Sequence, residues 1–284
     1  MEKISLRYHK KRKRINISFG VIGLIKEEFL KKFHISEKEL SDNRIQWNDL
    51  QEIYDDFMQY RNLYETQADF IANTLRNHKN IHSVKSRVKD PEHLIEKIIR
   101  KTSDRKNKYG ENFKFSVDNY KNEITDLIGV RGIHIFKEDW ENIHNLIVEI
   151  WKVNEITANV REGDETRRFE ELGIQIKSRK SGYRSVHYLI ESFPTSQKVI
   201  AEIQIRTIFE EGYGEIDHEL RYFHSEIPEV LAMNLLLLNR IAGSADEMAS
   251  MINVLNRSWQ DMQSKYESII EAKDKEIMEL KTRL

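Results

Sequence analysis

The sequence predicts an α/β (α+β) domain with helical extensions at both ends. Three observations point there. Apolar residues recur at three- and four-residue spacing over 47–76. Short alternating or apolar runs follow at 130–136, 173–177, 185–191 and 198–206. From Phe209 onward helical spacing returns almost without a break. The chain has 284 residues, enough for one large domain with extensions. It has no cysteine, which excludes disulfides and cysteine-ligated zinc. No run approaches the ~18 apolar residues that a membrane span needs, and the basic N-terminus has no apolar signal core behind it. A cytoplasmic protein with no membrane contact is the expectation.

The elements are read in chain order. Residues 1–46 form a basic N-terminal segment, irregular in pattern over 1–45. Its run from His9 to Arg14 reads either as a solvated tail or as a contact for RNA or phosphate. The stripe Leu50, Ile53, Tyr54, Phe57, Tyr64, Ile71 and Leu75 marks a long helix whose aromatics belong to the core. Asp90-Pro91 is a helix start, with Asp90 as N-cap and proline at the first helical position. That helix turns Leu94, Ile95, Ile98 and Ile99 inward, and 104–118 reads as a polar loop. A strand follows Asp126, then an amphipathic helix over 141–153 and a charged, mobile loop over 161–171. The domain is expected to span 47–225. The segment 226–284 carries Met248, Met251, Leu255, Trp259, Met262, Tyr266 and Ile269 at three–four spacing, interrupted at Lys273. Such a stripe is either a coiled coil, which implies a homo-oligomer, or a helix packed along the domain.

Net charge is −1, yet residues 1–14 hold seven Lys/Arg against one Glu, and residues 76–108 hold eleven against four Asp/Glu. Two basic blocks in a near-neutral chain imply local anion sites rather than a general polyanion binder. The most informative segment is Glu202-Ile203-Gln204-Ile205-Arg206. On a strand its three polar side chains share one face, which plain core does not explain. They either pair at a sheet surface, or form a site where the carboxylate handles a metal or proton and the guanidinium holds phosphate. Asp126, before its strand, is a surface residue or a second carboxylate for such a site. Arg179-Lys180-Ser181-Gly182-Tyr183-Arg184 is a basic turn; as a site it offers cations for phosphate and a ring for a base. Ser86-Arg87-Val88-Lys89 with Lys97, Arg100 and Lys101 makes a basic ridge beside a helix start, suited to polyphosphate or simply solvated.

In this order the blocks resemble the RelA/SpoT synthetase domain, whose members make the alarmones (p)ppGpp. The resemblance covers about 50–225. It rests on Arg87 to Lys101, on Asp126-Leu-Ile-Gly-Val-Arg131, on Ser181-Gly-Tyr183-Arg-Ser185-Val-His187, and on Glu202-Ile-Gln204-Ile-Arg206-Thr207 followed by Glu215-Ile-Asp-His218. It implies a nucleotidyltransferase-like mixed sheet flanked by helices. It implies transfer of the β,γ-pyrophosphate of ATP to the 3′-hydroxyl of GDP or GTP, with AMP leaving. By the same resemblance Asp126 and Glu202 hold Mg²⁺, and Glu202 helps activate the hydroxyl. Arg87, Lys89, Lys97, Lys101 and Arg131 fall on the ATP side. Arg179, Lys180, Tyr183, Ser185, His187, Gln204, Arg206 and His218 fall on the acceptor side, with Tyr183 stacking on the base. The chain is similar to a small, synthetase-only member. It departs from the family pattern at Arg179-Lys180, where Lys-Pro is usual, at Tyr213, where tryptophan is common, and at Phe223, where lysine is common. Other acceptors are therefore weighed beside the guanosine nucleotides: the tRNA 3′ end, as in toxic members, and adenosine nucleotides. A non-enzymatic nucleotide-sensing or interaction protein on the same scaffold is the remaining alternative.

Overall fold

The computed structural model describes residues 24–223 and 227–282, so the basic run at 9–14 lies outside the described residues. The elements run α1 (Lys26–Lys32), α2 (Glu37–Asp42), α3 (Trp47–Arg76), β1 (Ser83–Val88), α4 (Pro91–Tyr109), α5 (Tyr120–Glu123) and β2 (Ile128–His134). They continue with α6 (Trp140–Ile150), β3 (Val153–Val160), α7 (Arg167–Glu171), β4 (Gln175–Ser178), β5 (Ser185–Ser192), β6 (Val199–Thr207), α8 (Ile208–Phe223) and α9 (Glu229–Thr282).

The six strands form one mixed sheet in the order β1-β2-β6-β5-β3-β4. β2 and β6 run parallel at its centre, β3 and β4 run parallel at one edge, and the other neighbours are antiparallel. Because side chains alternate along a strand, the register sorts the sheet into a dry face and a polar face. Val130, Ile203, Tyr188 and Ile156 line up across four strands on the dry face. Beside them Gly132 meets Ile205, and a Cβ on that glycine would lie 2.8 Å from Ile205 Cδ1. Ile203, Ile205, Val130 and Tyr188 are all buried. Tyr188 keeps its hydroxyl satisfied there by accepting from Trp140 Nε1 at 2.9 Å.

The helix over 47–76 forms as its stripe requires, with Leu50, Ile53, Phe57, Ile71 and Leu75 buried. α4 begins as read: Asp90 accepts from the amides of Glu92 and His93, and Pro91 opens the helix. Four readings need correction. α4 runs through Tyr109 rather than ending before 104, and stops at Gly110, whose φ of +101° no other residue adopts easily. Residues 24–46 are not irregular, since α1 and α2 bury Phe29, Leu30 and Leu40. Helices of seven and six residues are too short to print a period, and packing stabilises them. α6 ends at Ile150 because β3 starts at Val153, a strand whose Asn, Glu and Thr hid its alternation. Finally, 161–171 is anchored: Asp164 pairs with Arg184, and Phe169 packs edge-on against Trp140.

α9 inverts the expected amphipathicity. Its buried residues are Leu235, Asn239, Ala242, Gly243, Asp246 and Asn253, at three–four spacing and mostly small or polar. Met248, Leu255, Trp259 and Ile269 of the apolar stripe are exposed instead, and every residue from 254 to 282 is exposed. The reading that packs this stripe along the domain is thus corrected, because the opposite face makes the contact. Asp246 is fully buried at the seam, where neither carboxylate oxygen makes a well-formed hydrogen bond. Burial, then the facing Glu210, push its carboxyl up to about 7. A carboxyl whose pKa is raised on folding opposes folding once ionised. Stability is therefore expected to fall as pH rises from about 4 to about 7, by on the order of 2–4 kcal/mol from this group. Urea unfolding of Asp246→Asn across that window should show this component of the slope removed.

Candidate active site

The polar face carries one row that crosses all six strands: Lys85, Arg131, Gln204, His187, Thr157 and Gln175. The neighbouring row holds Arg87, Gly129, Glu202 and Leu189. Burying Ile203 and Ile205 on one side obliges Glu202, Gln204 and Arg206 to face the other. The alternation of β6 therefore aims a carboxylate, an amide and a guanidinium into one site.

Two carboxylates meet there. Glu202 lies opposite Gly129, three residues beyond Asp126, and the charge of Asp126 works against its ionisation. Burial also pushes Glu202 up, but His187 and Gln204 outweigh both and hold it below its ordinary value. His187 Nδ1 lies 3.1 Å from Glu202 Oε1, and Gln204 Nε2 donates to Oε2 at 2.7 Å. Asp126 sits in the turn before β2, with Lys89 Nζ at 2.9 Å and Lys97 Nζ at 2.7 Å, both on Oδ2. Burial raises its carboxyl, yet these two ammonium groups bring it below the usual range. Asp126 Oδ1 is buried with no hydrogen-bond partner. A buried carboxylate oxygen left open beside a second carboxylate suits a hard cation such as Mg²⁺, which takes one or two protein carboxylates and draws its other ligands from phosphate and water. Among the described residues no group of three or more His, Asp or Glu forms a protein-only cage, so the pair supplies at most part of a coordination sphere.

Cations surround the pair. Arg87 crosses Gly129 where a Cβ would touch its Cγ and Nε at 3.4 Å, so the missing side chain gives the guanidinium its path. Lys101 lies one turn beyond Lys97, and burial with the neighbouring Lys97, Arg105 and Arg100 lowers its pKa. On the other side α8 supplies counter-charge. Glu211 binds Lys85 at 2.9 Å, Arg131 at 3.0 Å and Arg206 at 2.9 Å, and Glu215 also pairs with Arg131.

Beyond Glu202 the line continues into the 179–184 turn. Tyr183 Oη lies 3.1 Å from His187 Nε2, so His187 bridges the tyrosine and Glu202. The Arg206 guanidinium lies 5.5 Å from the centre of the Tyr183 ring, a cation–π contact. Arg179 donates to Asn159 Oδ1 at 2.6 Å. A cavity of about 570 Å³ opens between this turn and α9, lined by Arg179, Lys180, Arg161 and Arg240. A second, of about 620 Å³, reaches Leu189 and Thr125, which adjoin Glu202 and Asp126.

The structure thus gathers Asp126, Glu202, Arg87, Lys89, Lys97, Arg131, Tyr183, His187, Gln204 and Arg206 on one face. Ser185 lies beneath it, buried, with its hydroxyl donating to Ile205 O at 3.3 Å. His218 occupies an exposed position on α8, one turn past Gly214. The ridge read at a helix start is partly strand: Arg87 belongs to β1, Lys89 lies between the two elements, and Lys97, Arg100 and Lys101 stand on α4. Sequence reasoning missed Lys85, Glu211 and Asn239. Lys85 shares the parity of Arg87, so recognising β1 would have found it. Asn239 betrays itself only as an amide placed four residues after Leu235 on a helix.

Asp126 gives a pH signature opposite to that of Asp246. Its folded pKa is depressed, so its contribution is present above the ordinary carboxylate pKa and is lost as pH falls through the lower, folded value. Chemical unfolding should find Asp126→Asn about 1–3 kcal/mol less stable than wild type at pH 7, because two lysines lose their counter-ion. The gap should narrow below pH 4.

Known proteins resemble the chain in sequence and in fold. The family model described as "Region found in RelA / SpoT proteins" matches residues 86–227. GTP pyrophosphokinase YwaC of Bacillus subtilis is 30% identical over 182 residues, which cover 62% of this chain and 75% of that protein. GTP pyrophosphokinase YjbM of the same organism is 26% identical over 197 residues, covering 68% of this chain and 77% of that one. The crystal structure of small alarmone synthetase 1 from Bacillus subtilis superposes with a TM-score of 0.56 at 22% identity, over 72% of this chain and 99% of that one. Half the chain matched by the family model, and a relative at 30% identity three-quarters covered, establish that the chain belongs to the RelA/SpoT family.

Proposed function

We propose that the chain is an ATP:nucleotide 3′-pyrophosphokinase that transfers the β,γ-pyrophosphate of ATP to the 3′-hydroxyl of GDP or GTP, yielding (p)ppGpp and AMP. The observation that carries this reading is the line Tyr183–His187–Glu202, which joins an aromatic ring at a basic turn to a carboxylate beside Asp126. Relatives named GTP pyrophosphokinase support the choice of guanosine acceptor.

In the proposed reaction the 3′-oxygen attacks the β-phosphorus of ATP, the bond from that phosphorus to the α,β-bridging oxygen breaks, and AMP departs. Glu202, kept ionised by His187 and Gln204, accepts the hydroxyl proton and passes it to solvent. Arg87, Lys89, Lys97 and Lys101 hold the triphosphate, and its oxygens compete with Asp126 for the two lysines. Arg131 exchanges α8 carboxylates for phosphate. Tyr183 stacks on the base, while Arg179 and Lys180 face its phosphates. Asp126 and Glu202 would hold Mg²⁺, which when bound would supply charge neutralisation at the phosphate chain.

The test is transfer of label from γ-labelled ATP with Mg²⁺, in separate tubes of GDP, GTP, ATP and deacylated tRNA. Label is expected on guanosine nucleotides, with at least a ~100-fold loss of kcat in Glu202→Gln and Asp126→Asn. Label on tRNA or ATP alone would move the acceptor, and no label at all would overturn the enzymatic reading.

We also propose that the exposed stripe of α9 packs against other copies of the chain. Trp259, Tyr266 and Ile269 stand among polar residues on a helix that leaves the domain surface, an arrangement that favours association. Light scattering should return a multiple of the 33.9 kDa chain mass at micromolar concentration, and Trp259→Glu should reduce it.

A further inference from the structure

The 181–184 turn is held from outside the sheet at two successive carbonyl oxygens. The Tyr213 hydroxyl on α8 donates to Ser181 O. Asn239 on α9, 2% exposed, donates from Nδ2 to Gly182 O at 2.7 Å. The other end of the same amide accepts from Arg184 Nη1 at 3.3 Å, and Arg184 is itself held by Asp164 at 2.6 and 2.8 Å. Only one orientation of the Asn239 amide satisfies both partners, so the side chain is fixed at both ends.

Shape agrees with these bonds. Gly182 has φ +77°, and a Cβ there would lie 2.5 Å from Asn239 Oδ1. Gly243, one turn further along α9, leaves room for Arg184, whose Nη2 would lie 3.2 Å from a Cβ there. Both glycines are thus placed where helix and turn approach most closely. Tyr183 stands between the two clamped carbonyls and Arg184.

We propose that Tyr213 and Asn239 are positioning residues for the acceptor nucleotide, so that α8 and α9 set how Tyr183 is presented to the base. This rests on the acceptor reading given above. Neither residue reaches the reacting atoms. Losing either frees the turn, and acceptor binding must then bear the cost of ordering it.

The experiment measures steady-state kinetics and peptide-level hydrogen exchange on the full chain for wild type, Asn239→Ala, Asn239→Asp and Tyr213→Phe. Asn253→Ala serves as control, because Asn253 docks α9 elsewhere, on Glu138 at 2.7 Å. Each clamp variant should raise the acceptor KM about tenfold, equivalent to ~1.4 kcal/mol, with kcat and the ATP KM within about twofold of wild type. Asn239→Asp keeps an acceptor for Arg184 but loses the donor to Gly182, so it should match Asn239→Ala. Peptides covering 180–186 should exchange faster in the clamp variants and not in the control. Folded, active variants with unchanged acceptor KM and unchanged exchange would overturn the proposal, as would equal changes in both KM values and kcat. If Asn239→Ala does not fold, Tyr213→Phe, which removes one oxygen, decides the matter alone. Wild type that transfers to no guanosine nucleotide would sink the acceptor reading, while exchange at 180–186 would still decide the clamp.

Discussion

Charge compensation makes the polar face of the sheet tenable. A carboxylate or ammonium group taken partly out of water is stable only when partners replace its hydration. Every charge that matters here has such a partner. Lys89 and Lys97 share Asp126, His187 and Gln204 share Glu202, and Glu211 serves three cations at once. Asp126 Oδ1 is one of the buried oxygens left without a hydrogen bond, and it lies close enough to Glu202 for the two charges to oppose each other.

The same arrangement explains how a site full of like-signed cations stays folded with no anion bound. Glu211 and Glu215 hold Arg131 as phosphate oxygens would, and Asp126 holds the lysines. In the proposed function, binding of a polyphosphate exchanges one set of charge-assisted bonds for another, so the cations of the site are not stripped of partners. An exchange of this kind trades raw affinity for selectivity, since only a ligand with enough well-placed negative charge replaces all the internal partners.

How much of this was legible in the sequence follows from what each residue type leaves on the chain. The long helix and the central strand were readable because one-sided burial stamps a period on them, and Ile203 and Ile205 place Glu202 without ambiguity. Asp90-Pro91 was readable because a cap is a local interaction between neighbours. β3 was not, since its outer residues are polar on a sheet whose open face is itself polar. The short helices α1 and α2 were not, since they depend on contacts with α3 and α4 rather than on their own propensity. The site split in the same way. Asp126, Tyr183 and Glu202 stood out through the family resemblance of their blocks, whereas Glu211 and Asn239 act across elements far apart in sequence, and nothing local marks such a contact. The stripe on α9 was seen correctly as a pattern, but a pattern does not say which face meets the domain.

The inverted docking of α9 has a thermodynamic consequence. Apart from the small cluster of Tyr213, Leu235 and Ala242, its seam is built from amides, a glycine and a carboxyl rather than from apolar area. Heat-capacity change tracks the apolar surface that water gains, and polar surface contributes with the opposite sign. Release of the helix from the domain therefore carries a smaller heat-capacity increment for its area than melting of the sheet beneath it. Its attachment then curves less with temperature than the core does, so that cooling weakens the core more than it weakens the grip of the helix on the 181–184 turn.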